Sequence, residues 1–328
     1  MRDATLPTVL VTRRVPQPVL DRIAAVADMR LWEEDRPIPR EVLLDWVRGC
    51  AGLYSLLTDR VDEEVLRAAG PSLKVVSNMA VGYDNIDVPA CTAHGVPVGN
   101  TPGVLTETTA DLTLALLLAT ARRIVEAAEF VKAGRWVTWR PMELTGQDVH
   151  GSTVGIIGMG RIGKAVARRL RGFDCQIIYT DTQPDPEAGA LGAGYVELDS
   201  LLKASDFVLV HCPLNEQTRG LIGARELALM KPTAVLINTA RGPIVDQEAL
   251  LDALQRGVIG GAGLDVTDPE PIPPDHPLLK LDNVVVLPHI GSASVATRTR
   301  MAHMAADNLI AGLRGERLPH CVNPEVYG

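Results

Sequence analysis

Three closely spaced glycines join a strand-like run to a helix-like run in residues 153–167, T-V-G-I-I-G-M-G-R-I-G-K-A-V-A. Gly158 permits a tight turn, Gly160 lets a pyrophosphate approach the backbone, and Gly163 lets the helix pack against the strand. Free N–H groups at the positive end of that helix favour a phosphate there. A bare GxGxxG is weak evidence, but the flanking strand and helix supply the context that supports dinucleotide binding.

An acidic residue follows the next predicted strand at the spacing expected for such a site. Asp181 lies 18 residues after Gly163, close to the usual interval of about 20. A carboxylate here accepts both ribose hydroxyls of NAD and repels the 2′-phosphate of NADP. We therefore predict NAD(H) as the preferred cofactor, with NADP(H) as the alternative. The competing interpretation is a glycine turn used only for packing, with Asp181 as an ordinary surface acid.

Short β-branched runs alternate with helical patterns almost throughout, which predicts an α/β fold of βαβ units with parallel sheets. At about 100–200 residues per domain, a chain of 328 residues suggests two domains. The predicted strands are Thr8–Thr12, Gly52–Leu56, Leu73–Ser77, Val96–Gly99, Thr153–Ile157, Gln176–Thr180, Phe207–Val210, Ala234–Asn238, Gly261–Val266 and Val284–Leu287. Helices are predicted at Pro18–Ala27, Pro39–Arg48, Asp62–Ala69 and Ser294–Leu313.

One further helix, from Val104 to Arg122, is apolar on almost every side. Such a pattern is typical of a buried helix, which we expect to pack between the two domains. The segment that follows, Arg122–Gly151, breaks the alternation and contains Trp136 and Trp139 among charged residues. This composition indicates an excursion away from the core.

Charge and composition exclude several classes of function. The net charge of −8 without a basic run argues against nucleic acid or anionic lipid as partners. The longest apolar stretch, Leu112–Ala121, has about half the length that a membrane span needs, and the N-terminus does not resemble a signal peptide. Five scattered cysteines without CxxC spacing predict a reducing cytoplasm, no disulfide framework and no metal site.

Three polar residues follow predicted strands, where open α/β sheets place their ligands. Arg241 follows the strand that ends at Asn238, Glu270 follows Gly263–Val266, and His289 follows the last strand. The planar guanidinium group suits the carboxylate of a 2-oxo acid. A histidine near neutral pH can give a proton to, or take one from, the oxygen of the carbonyl that is reduced. A carboxylate beside that histidine stabilises the imidazolium. Taken singly, Glu270 and Arg241 could be surface residues, and His211 occupies a similar strand end.

The chain resembles the D-isomer-specific 2-hydroxyacid dehydrogenases over nearly its whole length, and among them the glyoxylate/hydroxypyruvate reductases most. The similarity lies in seven strings: VGYDNID (81–87), NTPGVLTETTADL (100–112), VGIIGMGRIGKA (154–165), INTARG (237–242), GLDVTDPEP (263–271), LPHIGSAS (287–294) and NLIAGLRGE (308–316). The resemblance implies a Rossmann cofactor domain, residues 103–290, inserted into a flavodoxin-like substrate domain, residues 1–102 and 291–328. Both would be doubly wound parallel sheets.

The resemblance also implies residue roles. Arg241 would bind the substrate, His289 would be the acid/base with Glu270 as its partner, and the Val81–Gly82 backbone would bind the substrate carboxylate. Trp139 would reach from one subunit of a homodimer into the neighbouring site, although loop packing explains the tryptophans equally well. The positions that match cofactor contacts, besides Gly158, Gly160, Gly163 and Asp181, are Thr109, Arg161, Ile162, Pro213, Thr218, Thr239, Asp265 and Gly291.

Two departures from relatives shape the functional hypothesis. Many of these reductases have a Gly/Ser-Arg pair after the second cofactor strand, suited to a 2′-phosphate, whereas this chain has D-T-Q at 181–183. Phosphite dehydrogenases have a lysine where this chain has Val81. The leading hypothesis is a reductase that converts glyoxylate to glycolate and hydroxypyruvate to D-glycerate. The alternatives are a dehydrogenase that acts on a larger 2-oxo acid or on phosphite, or a dinucleotide-sensing corepressor-like scaffold.

Overall fold

The computed structural model describes residues 6–328, and these form two compact units. The first consists of residues 6–105 together with Ala293–Gly328, and the second is Thr106–Ser292. The sequence placed the boundaries slightly earlier, at 102/103 and 290/291. The use of the first unit for substrate binding stays a prediction.

The first unit is built on a five-stranded sheet in which every pair of neighbours is parallel, in the order β2-β1-β3-β4-β5. This is the flavodoxin-like doubly wound order. Its strands are β1 (Thr8–Val11), β2 (Asp28–Leu31), β3 (Gly52–Ser55), β4 (Val75–Asn78) and β5 (Val98–Gly99). The helices between them are α1 (Gln17–Ala24), α2 (Arg40–Trp46), α3 (Glu63–Ala69) and α4 (Val88–Ala93).

The second unit contains a seven-stranded parallel sheet in the order β12-β11-β10-β9-β6-β7-β8. The run β8-β7-β6-β9-β10-β11 has the Rossmann order, with β12 added at one edge. Its strands are β6 (Thr153–Ile157), β7 (Gln176–Thr180), β8 (Ala193–Tyr195), β9 (Phe207–Val210), β10 (Val235–Asn238), β11 (Gly261–Leu264) and β12 (Val284–Val286). The helices are α5 (Thr106–Ala121), α6 (Ile124–Lys132), α7 (Arg161–Leu170), α8 (Leu198–Ala204), α9 (Ala224–Leu229) and α10 (Gln247–Gln255).

The apolar helix α5 packs on α7 and on strands β10, β11 and β12 within the second unit. Eight of its residues are buried, Leu116 and Leu117 among them. The close approach of α5 to β11 requires a glycine at position 263, because a Cβ there would lie 2.9 Å from Leu116 Cγ. Burial against its own sheet therefore accounts for the helix's nearly uniform hydrophobicity.

The last helix, α11 (Val295–Leu313), returns the chain to the first unit and packs on β3, β4 and α1. Ser294 caps it by accepting a hydrogen bond from Thr297 N–H at 3.1 Å. Two buried hydroxyls of the sheet donate to its carbonyls, Tyr54 to Ala302 at 3.1 Å and Ser77 to Ala305 at 2.7 Å. The C-terminal segment is thus part of the first unit's core.

Across residues 6–328 no helix is long and apolar enough to cross a membrane. The same residues contain no group of three or more His, Cys, Asp and Glu side chains that could bind a metal ion. All five cysteines are free thiols.

Candidate active site

The glycine turn has the geometry that a pyrophosphate requires. Gly158 has φ +97°, and a Cβ on it would lie 2.5 Å from Cys212 N, whereas a Cβ on Gly163 would lie 2.2 Å from Gly158 O. At Gly160, which precedes the first residue of α7, an added Cβ would meet nothing within 4 Å. Packing therefore requires two of the glycines, while the third opens space at the helix N-terminus. The residues present fit a bound dinucleotide, with its pyrophosphate on these N–H groups.

Asp181 lies at the carboxyl end of β7, directly beside the glycine turn. Its Oδ2 accepts a hydrogen bond from Met159 N–H at 2.8 Å, and its Oδ1 accepts one from Thr182 N–H at 2.7 Å. These bonds orient the carboxylate while leaving acceptor capacity on both oxygens. The predicted ribose-binding acid is therefore adjacent to the predicted pyrophosphate site.

Most of the other predicted cofactor residues form hydrogen bonds with one another or with a neighbouring side chain, or lie at the start of α7. Thr109 Oγ1 donates to Gly291 O at 3.2 Å, and the hydroxyl of Thr239 lies 2.9 Å from that of Thr113. In the turn after β9, Thr218 Oγ1 donates to Pro213 O at 2.6 Å. Arg161 and Ile162 are the first two residues of α7, directly after Gly160.

Asp265 organises the turn that presents His289. Its side chain is 1% exposed, Oδ1 accepts Ile290 N–H at 2.7 Å and Oδ2 accepts Gly291 N–H at 2.8 Å. Its carbonyl accepts His289 N–H at 2.9 Å. His289 has φ +53°, a left-handed conformation that costs a non-glycine residue free energy and needs support from its surroundings. Burial raises the pKa of Asp265, and the two N–H groups oppose that rise.

His289 and Glu270 form a close pair. Nδ1 of His289 lies 2.6 Å from Oε1 of Glu270, and the two side chains are 23% and 34% exposed. Glu270 Oε2 also accepts a 3.4 Å hydrogen bond from Thr267 N–H. With Nδ1 occupied by the carboxylate, the ring presents Nε2 as the nitrogen that can exchange a proton with a substrate.

Arg241 follows β10, which lies next to β11 in the sheet. Asn238, the last residue of β10, donates from Nδ2 to Arg241 O at 2.8 Å and accepts Ala240 N–H at 3.0 Å. The guanidinium Nη1 donates to Ala240 O at 2.8 Å. Arg241, Glu270 and His289 thus follow three adjacent strands, β10, β11 and β12, at one edge of the sheet.

His211 differs from His289 although both follow strands. Its Nε2 is buried and has no hydrogen-bond partner among residues 6–328, and burial lowers its pKa to about 4. His211 is therefore neutral near pH 7 and a poor proton donor there. Position at a strand end did not separate these two histidines, and the sequence distinguished His289 only through the family resemblance.

The remaining predicted site residues lie elsewhere. Val81 and Gly82 belong to the first unit, where their carbonyls accept from Asn100 Nδ2 at 2.8 Å and Asn78 Nδ2 at 3.1 Å. Within the described chain, neither residue's N–H donates a hydrogen bond. Trp139 is 77% exposed in the segment after α6. This segment is the excursion predicted from the sequence.

The sequence analysis missed two residues that contact predicted site residues and help to position them. Asn238 orients the Arg241 backbone, and Thr113 contacts Thr239. Asn at the end of a buried strand was the available signal, since an amide there must find backbone partners. Nothing in the helical pattern distinguishes Thr113 from the other threonines of α5.

A dinucleotide-binding sheet with a histidine–carboxylate pair and an arginine at its strand ends is the arrangement of a nicotinamide-dependent dehydrogenase. Comparison with known proteins identifies which one. Residues 114–291 match the family model "D-isomer specific 2-hydroxyacid dehydrogenase, NAD binding domain". The chain belongs to this family and is an NAD(P)-dependent D-2-hydroxyacid dehydrogenase.

The similarity to individual proteins covers nearly the whole chain. The chain is 54% identical to a glyoxylate reductase from Korarchaeum cryptofilum over 98% of this chain and 97% of that protein. The TT0316 protein from Thermus thermophilus superposes with a TM-score of 0.91 at 47% identity, covering 96% and 99% of the two chains. An NADPH-dependent glyoxylate/hydroxypyruvate reductase from Sinorhizobium meliloti, solved with NADP and malonate, gives 0.85 at 36% identity and 97% coverage of both chains.

Proposed function

We propose that this enzyme reduces small 2-oxo acids, glyoxylate to glycolate and hydroxypyruvate to D-glycerate. The observation on which the proposal rests is the 2.6 Å pair of His289 and Glu270 beside Arg241 on adjacent strand ends. The names of the relatives support glyoxylate as the substrate.

The residues divide the work as follows. The Arg241 guanidinium binds the substrate carboxylate, because its planar fork matches a carboxylate. The family resemblance assigns the Val81 and Gly82 N–H groups to the same carboxylate. His289 Nε2 donates a proton to the carbonyl oxygen as that oxygen gains charge. Glu270 orients the ring through its 2.6 Å contact with Nδ1. When bound, NADH supplies the hydride that the carbonyl carbon receives.

A panel of purified-enzyme assays tests the proposal. Glyoxylate, hydroxypyruvate, pyruvate and 2-ketogluconate are each assayed with NADH and NADPH, and phosphite is assayed with NAD. We expect the highest kcat/KM with glyoxylate or hydroxypyruvate. A preference for 2-ketogluconate, turnover of phosphite, or no turnover at all would each refute the assignment.

Cofactor preference tests the role of Asp181. We expect kcat/KM to be higher with NADH than with NADPH, because the carboxylate repels a 2′-phosphate. The Asp181→Asn variant keeps an acceptor for Met159 N–H but removes the charge. It should lower the ratio of kcat/KM with NADH to kcat/KM with NADPH about tenfold, the effect expected for one close charge. An unchanged ratio, or a wild-type enzyme that prefers NADPH, would contradict this role.

An apolar surface on α6 and the segment after it supports a homodimer. Its exposed residues, which we call the α6 patch, are Ile124, Val125, Val131, Trp136, Val137, Trp139 and Met142, with exposures of 47% to 81%. None of the nine residues of α6 is buried. A concentration of exposed apolar side chains in one segment is typical of a protein–protein interaction site. We propose that the patch pairs with a second copy and that Trp139 enters the neighbouring site.

Charge substitution in the α6 patch tests the dimer. Val137→Asp combined with Met142→Asp should convert a dimer to a monomer in analytical ultracentrifugation, because buried unpaired carboxylates oppose association. Val295→Asp is the control, since Val295 is 88% exposed but lies outside the patch. Trp139→Ala should raise KM for the 2-oxo acid several-fold without separating the subunits. A wild-type monomer, or a double variant that stays dimeric, would disprove the interface.

The cytoplasm remains the compartment that we propose. Five free cysteines, three of them buried, support a reducing environment.

A further inference from the structure

Lys164 forms two ion pairs with the loop that follows Asp181. Its Nζ lies 2.6 Å from Glu187 Oε2 and 3.1 Å from Asp185 Oδ2. Glu187 and Asp185 raise the pKa of Lys164, and Lys164 lowers the pKa of Asp185. Lys164 is the fourth residue of α7 and is 24% exposed. The cation that directly follows the third glycine of the motif is therefore paired with two carboxylates.

The loop, residues 181–187, is fixed independently of these ion pairs. The Tyr179 hydroxyl accepts Asp185 N–H at 2.8 Å and donates to Asp185 O at 3.4 Å. Asp185 Oδ1 accepts Glu187 N–H at 2.8 Å. Tyr179 itself is buried, at 2% exposed. Neutral amides in place of the two carboxylates would thus leave the path of the loop unchanged.

The same loop begins at the residue that distinguishes the two cofactors. Asp181 contacts Met159 in the glycine turn, and Asp185, four residues later, contacts Lys164 in the first turn of α7. The loop therefore lies along the start of the helix. A 2′-phosphate is attached to the ribose that Asp181 is proposed to bind, so it would enter next to the start of this loop.

We propose that Asp185 and Glu187 are specificity-determining residues, which exclude NADP by keeping Lys164 from binding its 2′-phosphate. The exclusion acts in addition to the repulsion by Asp181. A free lysine at this place would be a point-charge ligand for phosphate, whereas a lysine paired with two carboxylates adds net negative charge to the loop. This role concerns cofactor binding and does not depend on the 2-oxo acid that the enzyme reduces.

Calorimetric titration with NAD⁺ and NADP⁺ tests the proposal without turnover. The variant Asp185→Asn/Glu187→Gln should bind NADP⁺ about tenfold more tightly than wild type, the effect of one added charge-assisted hydrogen bond, with Kd for NAD⁺ within about twofold. Adding Lys164→Met to that variant should abolish the gain. Adding Lys164→Arg should preserve it.

Two controls separate this effect from general charge and from folding. Glu129→Gln/Asp252→Asn makes the same change in net charge at exposed ion pairs far along the chain and should leave both Kd values unchanged. The thermal midpoints of all variants show whether the fold survives, as does unchanged NAD⁺ binding. If NADP⁺ binding does not tighten, or tightens equally with Lys164→Met present, Lys164 is not the group released and the proposal is wrong.

Discussion

Replacing His289 with alanine is expected to reduce kcat by about 10²–10⁴-fold, the usual contribution of a general acid, while Kd for NADH changes by less than about twofold. The ring, which pairs with Glu270 at 2.6 Å, is the proton donor in the proposed mechanism. The glycine turn and Asp181, which we propose as the dinucleotide site, lie at other strand ends and are not altered. Steady-state assays give kcat, and NADH fluorescence titration gives Kd.

Two further variants support the interpretation of that loss. His150→Ala removes a histidine of the same unit that is 76% exposed and pairs with Asp174 at 3.2 Å, and it should leave kcat unchanged. Glu270→Gln should give a smaller loss than His289→Ala, because the ring remains and loses only the carboxylate that orients it through Nδ1. Retention of most turnover by His289→Ala would overturn the assignment of the acid.

The Arg241→Met variant should reduce kcat/KM for the 2-oxo acid by about 10²–10³-fold, because two charge-assisted hydrogen bonds to the carboxylate are lost. Most of the loss should appear in KM if the guanidinium binds ground state and transition state equally. Arg241→Lys should recover only part of the activity, since an ammonium lacks the planar fork. The measurement is a full kcat and KM comparison at saturating NADH.

The matched control for Arg241 is Arg256→Met. Arg256 follows α10, is 68% exposed and pairs with Asp252 at 2.8 Å, so its loss should change neither constant. A substrate KM and a kcat that both stay near wild type in Arg241→Met would show that the carboxylate is bound by other groups.

The sequence predicted most of the second unit's interior accurately. Thr153–Ile157, Gln176–Thr180 and Phe207–Val210 are strands with those bounds in the structure, because fully buried parallel strands are continuous β-branched runs. Of the four edge strands, the sequence missed two, β2 of the first sheet and β8 of the second. In β2 exposed and half-buried residues alternate, and β8 has only three residues, two of them exposed, so neither has a strong apolar signal.

Within the site, the strand pattern located individual groups, whereas the pairing of Glu270 with His289 came only from the family resemblance. Glu270 and His289 are 19 residues apart, and only the pairing of β11 with β12 makes them neighbours. The support that Asp265 gives to the His289 turn depends on a left-handed backbone, for which a histidine gives no sequence signal. Lys164 was not singled out, because its partners belong to a loop without a regular pattern.

The return of the chain to the first unit through α11 has a consequence for biosynthesis. A ribosome delivers the five strands of the first sheet early, whereas α11 emerges only after the second unit. This helix contributes Leu309, which is fully buried in the first unit's core. It also contributes the carbonyls of Ala302 and Ala305, which accept hydrogen bonds from the Tyr54 and Ser77 hydroxyls. The second unit is continuous and can fold as soon as its own residues are synthesised. While nearly 190 further residues are synthesised, the nascent chain therefore contains the first sheet without the helix that packs on β3 and β4. Chaperone binding in this period would protect the exposed face of that sheet.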